Sequence, residues 1–247
     1  YQNHPVRNNI AGTVESIEEI TADTLKLCHD AFYDPSNLIV CVIGDVDAAS
    51  IIEQARKLTP AGKKPQFERC CGAPEPEKVP VRTIEKQMEI AMPAFAIGFR
   101  CPDAGRGADA MRMDLIGEMA GEMLVGESSK LYQKLYDENV IDADFSVDYE
   151  RMKGMALLEL SGDSEDPRRI LREVLAEAAR VLETGVDRAL LARLKKSVTG
   201  RRLRELDGFE GTCYRMCAYY FDGAEYFDYP EIYASVTAED VEQFIRE

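Results

Sequence analysis

The sequence predicts an α+β protein in which helices pack on one face of an antiparallel sheet. Two segments alternate apolar and polar residues on either side of Arg151–Gly154, and this pattern indicates a β-hairpin. An apolar segment at 87–100 predicts a further strand, and long helical segments precede and follow the hairpin. An antiparallel sheet with helices packed on one face is the arrangement that defines this fold class.

The composition is that of an ordinary globular protein, with 45% hydrophobic and 30% charged residues among 247. The net charge of −15 argues against nucleic-acid partners, because phosphates would be repelled. No apolar run approaches the roughly 18–20 residues that cross a bilayer, so we expect no membrane partner. The seven scattered cysteines suit free thiols better than a disulfide framework, and we expect a cytoplasmic protein.

The first elements are a helix, a strand and a second helix. Thr21 is suited to cap a helix whose apolar residues recur at helical spacing as far as Phe32. Pro35 stops that helix. The apolar run Leu38–Ile43 predicts a short buried strand, and 48–58 predicts an amphipathic helix.

A change of composition divides the chain. Prolines and glycines among charged residues from 59 to 82 predict a linker. We therefore expect the C-terminal end of a first domain at 1–60, a linker at 61–82 and a second domain at 83–247. Pro93 lies inside the strand predicted at 87–100, which indicates a sheet edge or a bulge.

The second domain continues with helices. The helix predicted at 105–124 is rich in methionine, and packing against the sheet is favoured over an adaptable binding surface. Ser128 or Ser129 caps a helix that ends near Glu138. Later helices are predicted to begin at Asp166–Pro167, Asp187, Gly208 and Thr237. The helix after Asp187 carries a cationic group that could bind an acidic partner, although a solvated face is favoured: Lys195, Lys196, Arg201, Arg202 and Arg204.

Two short motifs carry a family resemblance. The segment Tyr33–Leu38, the apolar run after it and Gly44–Asp47 resemble the end of the first core domain of pitrilysin/insulinase zinc peptidases, which include the mitochondrial processing peptidases. His4–Pro5 and Ile10–Thr13 fit the loop before it. The resemblance implies a processing-peptidase-like metallohydrolase core domain. The last helix repeats the Thr21 pattern at Thr237 without a strand after it, so we expect truncation at the C-terminus.

The catalytic motif of that family is absent from the chain. The family holds zinc with an inverted His-x-x-Glu-His helix motif, and the only histidines here are His4 and His29. The resemblance implies that zinc is bound in a part upstream of His4. We therefore expect no catalytic residue, no metal ligand and no peptidase activity in this chain alone.

The segment Ser129–Glu138 resembles a substrate-contacting segment of the family. Active members place an Arg after the second Leu and a Tyr seven residues later; here those positions hold Tyr136 and approximately Ala143. A phenol cannot replace a guanidinium fork, which leaves three interpretations: a divergent bacterial subgroup that uses other residues, a non-catalytic subunit, or a substrate-positioning half. The segment Leu131–Tyr136 most resembles the divergent bacterial subgroup. We predict that Tyr136 and Lys130 bind substrate, whereas Tyr132 packs against a neighbouring element.

The resemblance implies that the chain is the non-catalytic, substrate-positioning portion of a zinc-dependent peptidase that cleaves extended or unfolded peptides. Its expected partners are a peptide and the zinc-bearing half, in the same chain or in a homologous subunit. An inactive family member that serves as a structural or peptide-binding subunit is the alternative, and an unrelated interaction domain is a third. The acidic pairs Asp144/Asp148 and Glu205/Asp207 are interpreted as solvated surface.

Overall fold

The computed structural model describes residues 1–59, 70–76 and 78–247, and it divides into two units, Tyr1–Ile84 and Glu85–Glu247. Residues 61–69 and 77 of the predicted linker lie outside the described residues. The described part of that linker contains no helix or strand.

The first unit is formed by short capped helices. They are α1 (Val14–Glu18), α2 (Ala22–Phe32) and α3 (Ala48–Leu58), with 3₁₀ turns at Pro5–Arg7 and Pro35–Asn37. The Thr21 hydroxyl accepts from the N–H of Thr24 at 3.1 Å, and the Asp47 carboxylate accepts from the N–H of Ser50 at 3.0 Å. These bonds confirm the predicted starts of α2 and α3.

The buried strand predicted at Leu38–Ile43 is wrong. These residues form no regular element and alternate between exposed and half-buried, with Val40 66% exposed. A strand needs a hydrogen-bonded neighbour, and no described segment pairs with this one. The apolar face of α2 is likewise uncovered, since Leu25 is 60% exposed.

One carboxylate fastens residues 70–76 to the beginning of the first unit. Glu75 accepts from the backbone N–H groups of Gln2, Asn3 and His4 at 2.6–2.7 Å. Burial disfavours its charge, but these donors outweigh that cost and hold the pKa of Glu75 at about 2.

The second unit contains a three-stranded antiparallel sheet. Its strands are β1 (Ala94–Arg100), β2 (Ser146–Met152) and β3 (Met155–Asp163), in the order β1-β3-β2. Gly154 adopts φ of 79° in the tight turn of the predicted hairpin. The strand predicted at 87–100 begins only at Ala94, because Pro93 has no N–H to pair.

Seven α-helices of the described residues complete the second unit: α4 (Gly107–Val125), α5 (Lys130–Asp137), α6 (Pro167–Thr184), α7 (Arg188–Glu205), α8 (Phe209–Asp222), α9 (Tyr229–Ser235) and α10 (Ala238–Arg246). The predicted caps Asp166, Asp187 and Thr237 accept backbone N–H bonds at the starts of α6, α7 and α10. The sequence analysis did not identify α9, a short helix that directly follows a 3₁₀ turn at Tyr226–Asp228.

Helix α4 lies against one face of the sheet and forms the centre of the core. Its Met111 and Met119 are fully buried, which confirms that the methionines serve packing. A Cβ atom at Gly117 would lie 2.5 Å from the ring of Tyr149 in β2, so the missing side chain lets helix and strand approach closely. The opposite face carries several small and acidic side chains beside Arg100 and Leu157: Ala94, Ala96, Gly98, Asp148, Glu150 and Glu159. The α+β class with helices on one sheet face is confirmed.

Candidate peptide-binding site

Helix α5 carries the residues predicted to bind substrate. Its start is fixed by the Ser129 hydroxyl, which accepts from the N–H of Tyr132 at 3.0 Å. Leu131 and Leu135 are buried and anchor the helix to the core. The remaining faces of this short amphipathic helix present polar and aromatic side chains outward.

Tyr136 lies at the outer end of a row of aromatic rings. Its ring is stacked on Tyr132, with centroids 6.0 Å apart, and Tyr132 contacts Phe145 at 6.0 Å. Phe145 in turn contacts Phe95 of β1 at 6.3 Å. Tyr132 therefore packs as predicted, whereas Tyr136 is 48% exposed and can contact a ligand.

Lys130 and Tyr136 do not form one cluster. They lie six positions apart, which places their side chains about 120° apart around an α-helix. Lys130 is exposed and acts on Asp187 at the start of α7. The pKa of Asp187 is lowered mainly by the N–H of Leu190, with a smaller effect from nearby cations that include Lys130. The joint role of Lys130 and Tyr136 in binding stays a prediction.

An ionic network that the sequence analysis missed ties α5 to α6. Glu173 accepts from Lys134 at 2.5 Å and from Arg169 at 3.1 Å, and Arg169 also pairs with Glu138. The bonds from Lys134 and Arg169 lower the pKa of Glu173. Only the i,i+4 spacing of Arg169 and Glu173 was readable from the sequence, because the other partners lie in distant segments.

The position at which the family has a tyrosine falls outside any element. Ala143 is exposed in the turn before β2, and the Asp142 carboxylate accepts from the N–H of Asp144 at 3.0 Å in the same turn. A methyl group there offers no hydrogen bond to a substrate. The turn contributes no substitute for the missing phenol.

The outer edge of β1 is the second feature that could bind a peptide. Pro93 O accepts from Ser164 N, and Cys101 N donates to Ala156 O, so alternate residues starting at Pro93 pair with β3. The backbone groups of Ala94, Ala96 and Gly98 consequently point away from β3. No strand pairs with this edge within the part of the chain that the structure describes. Pro93 was the sequence signal for an edge.

Arg151, away from these features, is a charged side chain that is only 9% exposed. Its guanidinium donates to both oxygens of Asp114 at 2.7 and 3.1 Å and to Asp222 at 2.7 Å. Burial raises the pKa of Asp114, and the bond from Arg151 opposes that rise. The cluster joins α4, β2 and α8, and the guanidinium and the two carboxylates pair with one another.

The described residues do not fit a catalytic zinc ion. Residues 1–59, 70–76 and 78–247 contain no group of three or more His, Cys, Asp or Glu side chains placed to hold a metal. The Nδ1 atom of buried His4 accepts from the N–H of Val6 at 3.1 Å, and exposed His29 contacts Asp30.

No described helix is both long and apolar enough to cross a bilayer.

Comparison with known proteins identifies the family. Residues 19–198 match the family described as Peptidase M16 inactive domain. The chain is 32% identical over 253 residues to YmfH, an uncharacterized zinc protease of Bacillus subtilis, and 25% identical over 202 residues to the zinc protease PqqE of Helicobacter pylori. It covers 58% of the first protein and 44% of the second, with 100% and 79% of its own length.

A solved structure has the same fold over the whole chain. A protein of Alicyclobacillus acidocaldarius, described as an M16-like peptidase, superposes with a TM-score of 0.91 at 27% identity. The match covers 100% of this chain and 60% of that one. The resemblance found in the sequence motifs is thereby confirmed.

Proposed function

Because the chain belongs to the M16 peptidase family as its inactive domain, we propose that it positions an extended or unfolded peptide for a zinc-bearing portion of the same peptidase. Zinc bound in that portion would activate the water that attacks the peptide bond. The residues of this chain bind and align the substrate and move no proton.

The open edge of β1 is the observation that carries this proposal. Three consecutive outward-facing positions, Ala94, Ala96 and Gly98, offer backbone donors and acceptors. An extended peptide can add to such an edge as a further strand, with main-chain bonds that do not depend on its sequence. The small side chains leave the approach open, as a peptidase for unfolded substrates requires.

The aromatic row supports a role for Tyr136 in the same binding event. The row begins at Phe95 near the start of β1 and ends at the exposed ring of Tyr136. We propose that this ring packs against apolar side chains of a peptide seated on β1. Lys130 lies on another face of α5 and would attract acidic residues of the peptide that extend past the β1 edge.

The exposed apolar surface of the first unit supports a zinc-bearing partner. Helices α2 and α3 bury no residue, and Leu25, Val40 and Ile52 are all at least half exposed. Apolar surface of this extent marks an interaction site in soluble proteins. We propose that the zinc-bearing portion covers it.

A substitution at one edge position tests the proposal. Ala96→Pro removes an N–H that points away from β3 and so spares the sheet. We expect it to weaken binding of a fluorescein-labelled unfolded peptide to the 247-residue chain at least tenfold, measured by fluorescence anisotropy. Ala96→Val keeps the N–H and is the matched control, expected to bind within about twofold of the parent chain.

Equal binding by the proline and valine variants would contradict strand addition at β1. Absence of peptide binding in the unchanged chain would favour the other reading of the family resemblance, a structural subunit. Circular dichroism of each variant separates a loss of binding from a loss of fold.

A further inference from the structure

A groove runs along α7 on the side that faces α9. It has a volume of about 770 Å³, and α7, α9 and the 3₁₀ turn before α9 form its walls. Lys195 lies 5.5 Å from the ring centre of Tyr233, and Arg202 lies 5.2 Å from that of Tyr229. The two walls therefore run antiparallel, and each end of the groove has residues from both.

One end of the groove is cationic. Lys195 Nζ donates to the carbonyl groups of Ala234 and Val236 at 3.1 and 2.7 Å, and it is held in place there. Lys196 beside it is exposed and has no ion-pair partner among the described residues. Exposed Lys196 lets this end accept one anionic group although the net charge of the chain is −15.

The other end is apolar and open. Leu203 and Leu206 of α7 are 63% and 38% exposed, and Phe227 on the opposite wall is 66% exposed. The side chains of these residues offer no hydrogen bond to a ligand. A peptide lying here would leave its backbone N–H and C=O groups unsatisfied against them, which is unfavourable.

The cation in the middle of the groove already has acidic neighbours. Arg202 lies 4.0 Å from Glu118 and 3.6 Å from Glu205, and Glu205 also pairs with Arg215 at 3.1 Å. Its charge is partly compensated within the protein, because Arg201 and Arg215 share the same two carboxylates. Lys196 is more exposed and has no ion-pair partner among the described residues, so the anionic head group is placed at that end.

We propose that this groove binds one long-chain carboxylate, with its head group at Lys195 and Lys196 and its acyl chain along Leu203, Leu206 and Phe227. The distance along α7 from Lys195 to Leu206 is about 16 Å, which suits an extended acyl chain of roughly a dozen carbons. The volume lies within the range of small-molecule sites, which are mostly apolar with a few polar groups that fix orientation. This site is separate from the β1 edge and does not depend on peptide binding there.

Isothermal titration of the 247-residue chain with sodium laurate, below its micelle concentration, tests the proposal. We expect one laurate per chain. Octanoate should bind at least tenfold more weakly, because each methylene removed from water changes affinity about fourfold. Dodecyltrimethylammonium, with the same chain and the opposite charge, should also bind at least tenfold more weakly.

Two pairs of variants locate the site. Lys196→Glu should weaken laurate binding at least tenfold, whereas Arg204→Glu, the same charge change at an exposed position of α7 outside the groove, should leave it unchanged. Leu203→Asp should weaken binding, and Leu175→Asp, at a 51% exposed position of α6, should not. All four positions are exposed, so the fold should be kept.

Failure of laurate to bind would overturn the proposal, as would equal losses in Lys196→Glu and Arg204→Glu. Binding of an acidic peptide at Lys196 in place of laurate would also overturn it and would assign the groove to a protein ligand.

Discussion

At the scale of single residues, Arg151 shows how one side chain can hold three distant elements together. Its side chain is 9% exposed and makes two bonds to Asp114 and one to Asp222. Forming such a cluster in the interior gives little net stabilisation, because removing the charges from water is unfavourable. Removing one partner has a large effect, since the remaining charges stay buried.

Arg151→Ala should therefore lower the free energy of unfolding by about 3 kcal/mol. Urea denaturation followed by circular dichroism measures this loss. Arg168→Ala is the control, because its pair with Glu85 is exposed on both sides at 74% and 73%, and exposed pairs contribute about 0–1 kcal/mol. Similar losses in the two variants would show that burial does not set the strength of these pairs.

Glu159 gives a pH-dependent prediction. Burial raises its pKa, and the neighbouring acidic side chains of Glu150 and Asp148 raise it further; Asp148 is its direct partner across the strands. Since the folded-state pKa lies above the unfolded value, ionisation of Glu159 costs stability as pH rises through the folded pKa. Below the unfolded value that cost is absent.

Glu159→Gln should accordingly raise the free energy of unfolding at pH 7 by about 0.5 kcal/mol, and the gain should vanish near pH 4. Urea denaturation at both pH values measures it. Glu165→Gln, at an exposed position, controls for the change in net charge. A gain of equal size at both pH values would rule out like-charge repulsion as its cause.

At the scale of elements, sequence patterns were reliable where an element carries its own signals. Thr21, Asp187 and Thr237 start their helices as predicted, because a cap acts on residues two or three positions away. Leu38–Ile43 was wrong because strand formation depends on a neighbour that no local pattern reveals. The same limit applies to residues 87–92, where apolar residues precede the strand without forming part of it.

In the candidate site, too, local features were predicted from the sequence and contacts between distant residues were not. The start of α5 at Ser129 and the packing of Tyr132 followed from the sequence. The aromatic row to Phe95 and the ion pair between Arg169 and Glu138 did not, because both join residues far apart in the chain. The relative direction of the Lys130 and Tyr136 side chains follows from their spacing of six positions, once α5 is known to be a helix.

Because α4 lies so close to β2, a glycine-to-alanine substitution should have opposite effects on stability in α4 and in α7. Gly117→Ala would place a Cβ atom 2.5 Å from the Tyr149 ring, and such overpacking costs about 1–3 kcal/mol. Gly200→Ala in α7 has no heavy atom within 4 Å of the new Cβ and should stabilise the helix by about 0.5–1 kcal/mol. Thermal or urea denaturation distinguishes the two, and destabilisation by both would contradict the packing described for α7.

At the scale of the whole molecule, the buried apolar core belongs to the second unit. Its buried hydrophobic residues lie between Ala110 and Val241, whereas α1, α2 and α3 bury none. We expect the backbone amides of α4 and β3 to exchange with deuterium at least about tenfold more slowly than those of α2 and α3. Mass spectrometry of exchanged peptides measures this, and equal protection of α2 and α4 would show that the first unit is covered in solution.

The chain alone should show no zinc-dependent peptidase activity. Cleavage of labelled unfolded peptides should stay at background with added zinc and should not change with a chelator, because the described residues do not fit a metal site. Adding the zinc-bearing portion that we propose as its partner should produce cleavage that the chelator abolishes. Chelator-sensitive cleavage by the isolated chain would contradict the proposed division of labour.

The order of strands in the sheet has a consequence for synthesis on the ribosome. The hairpin of β2 and β3 closes through a two-residue turn and can form quickly, but β1 must wait for β3, whose Asp163 pairs with Ala94. Until then Phe95, Ile97 and Phe99 have no sheet to join. The nascent chain therefore exposes these three apolar side chains while residues 101–163 are synthesised, and chaperone binding would be expected at this segment.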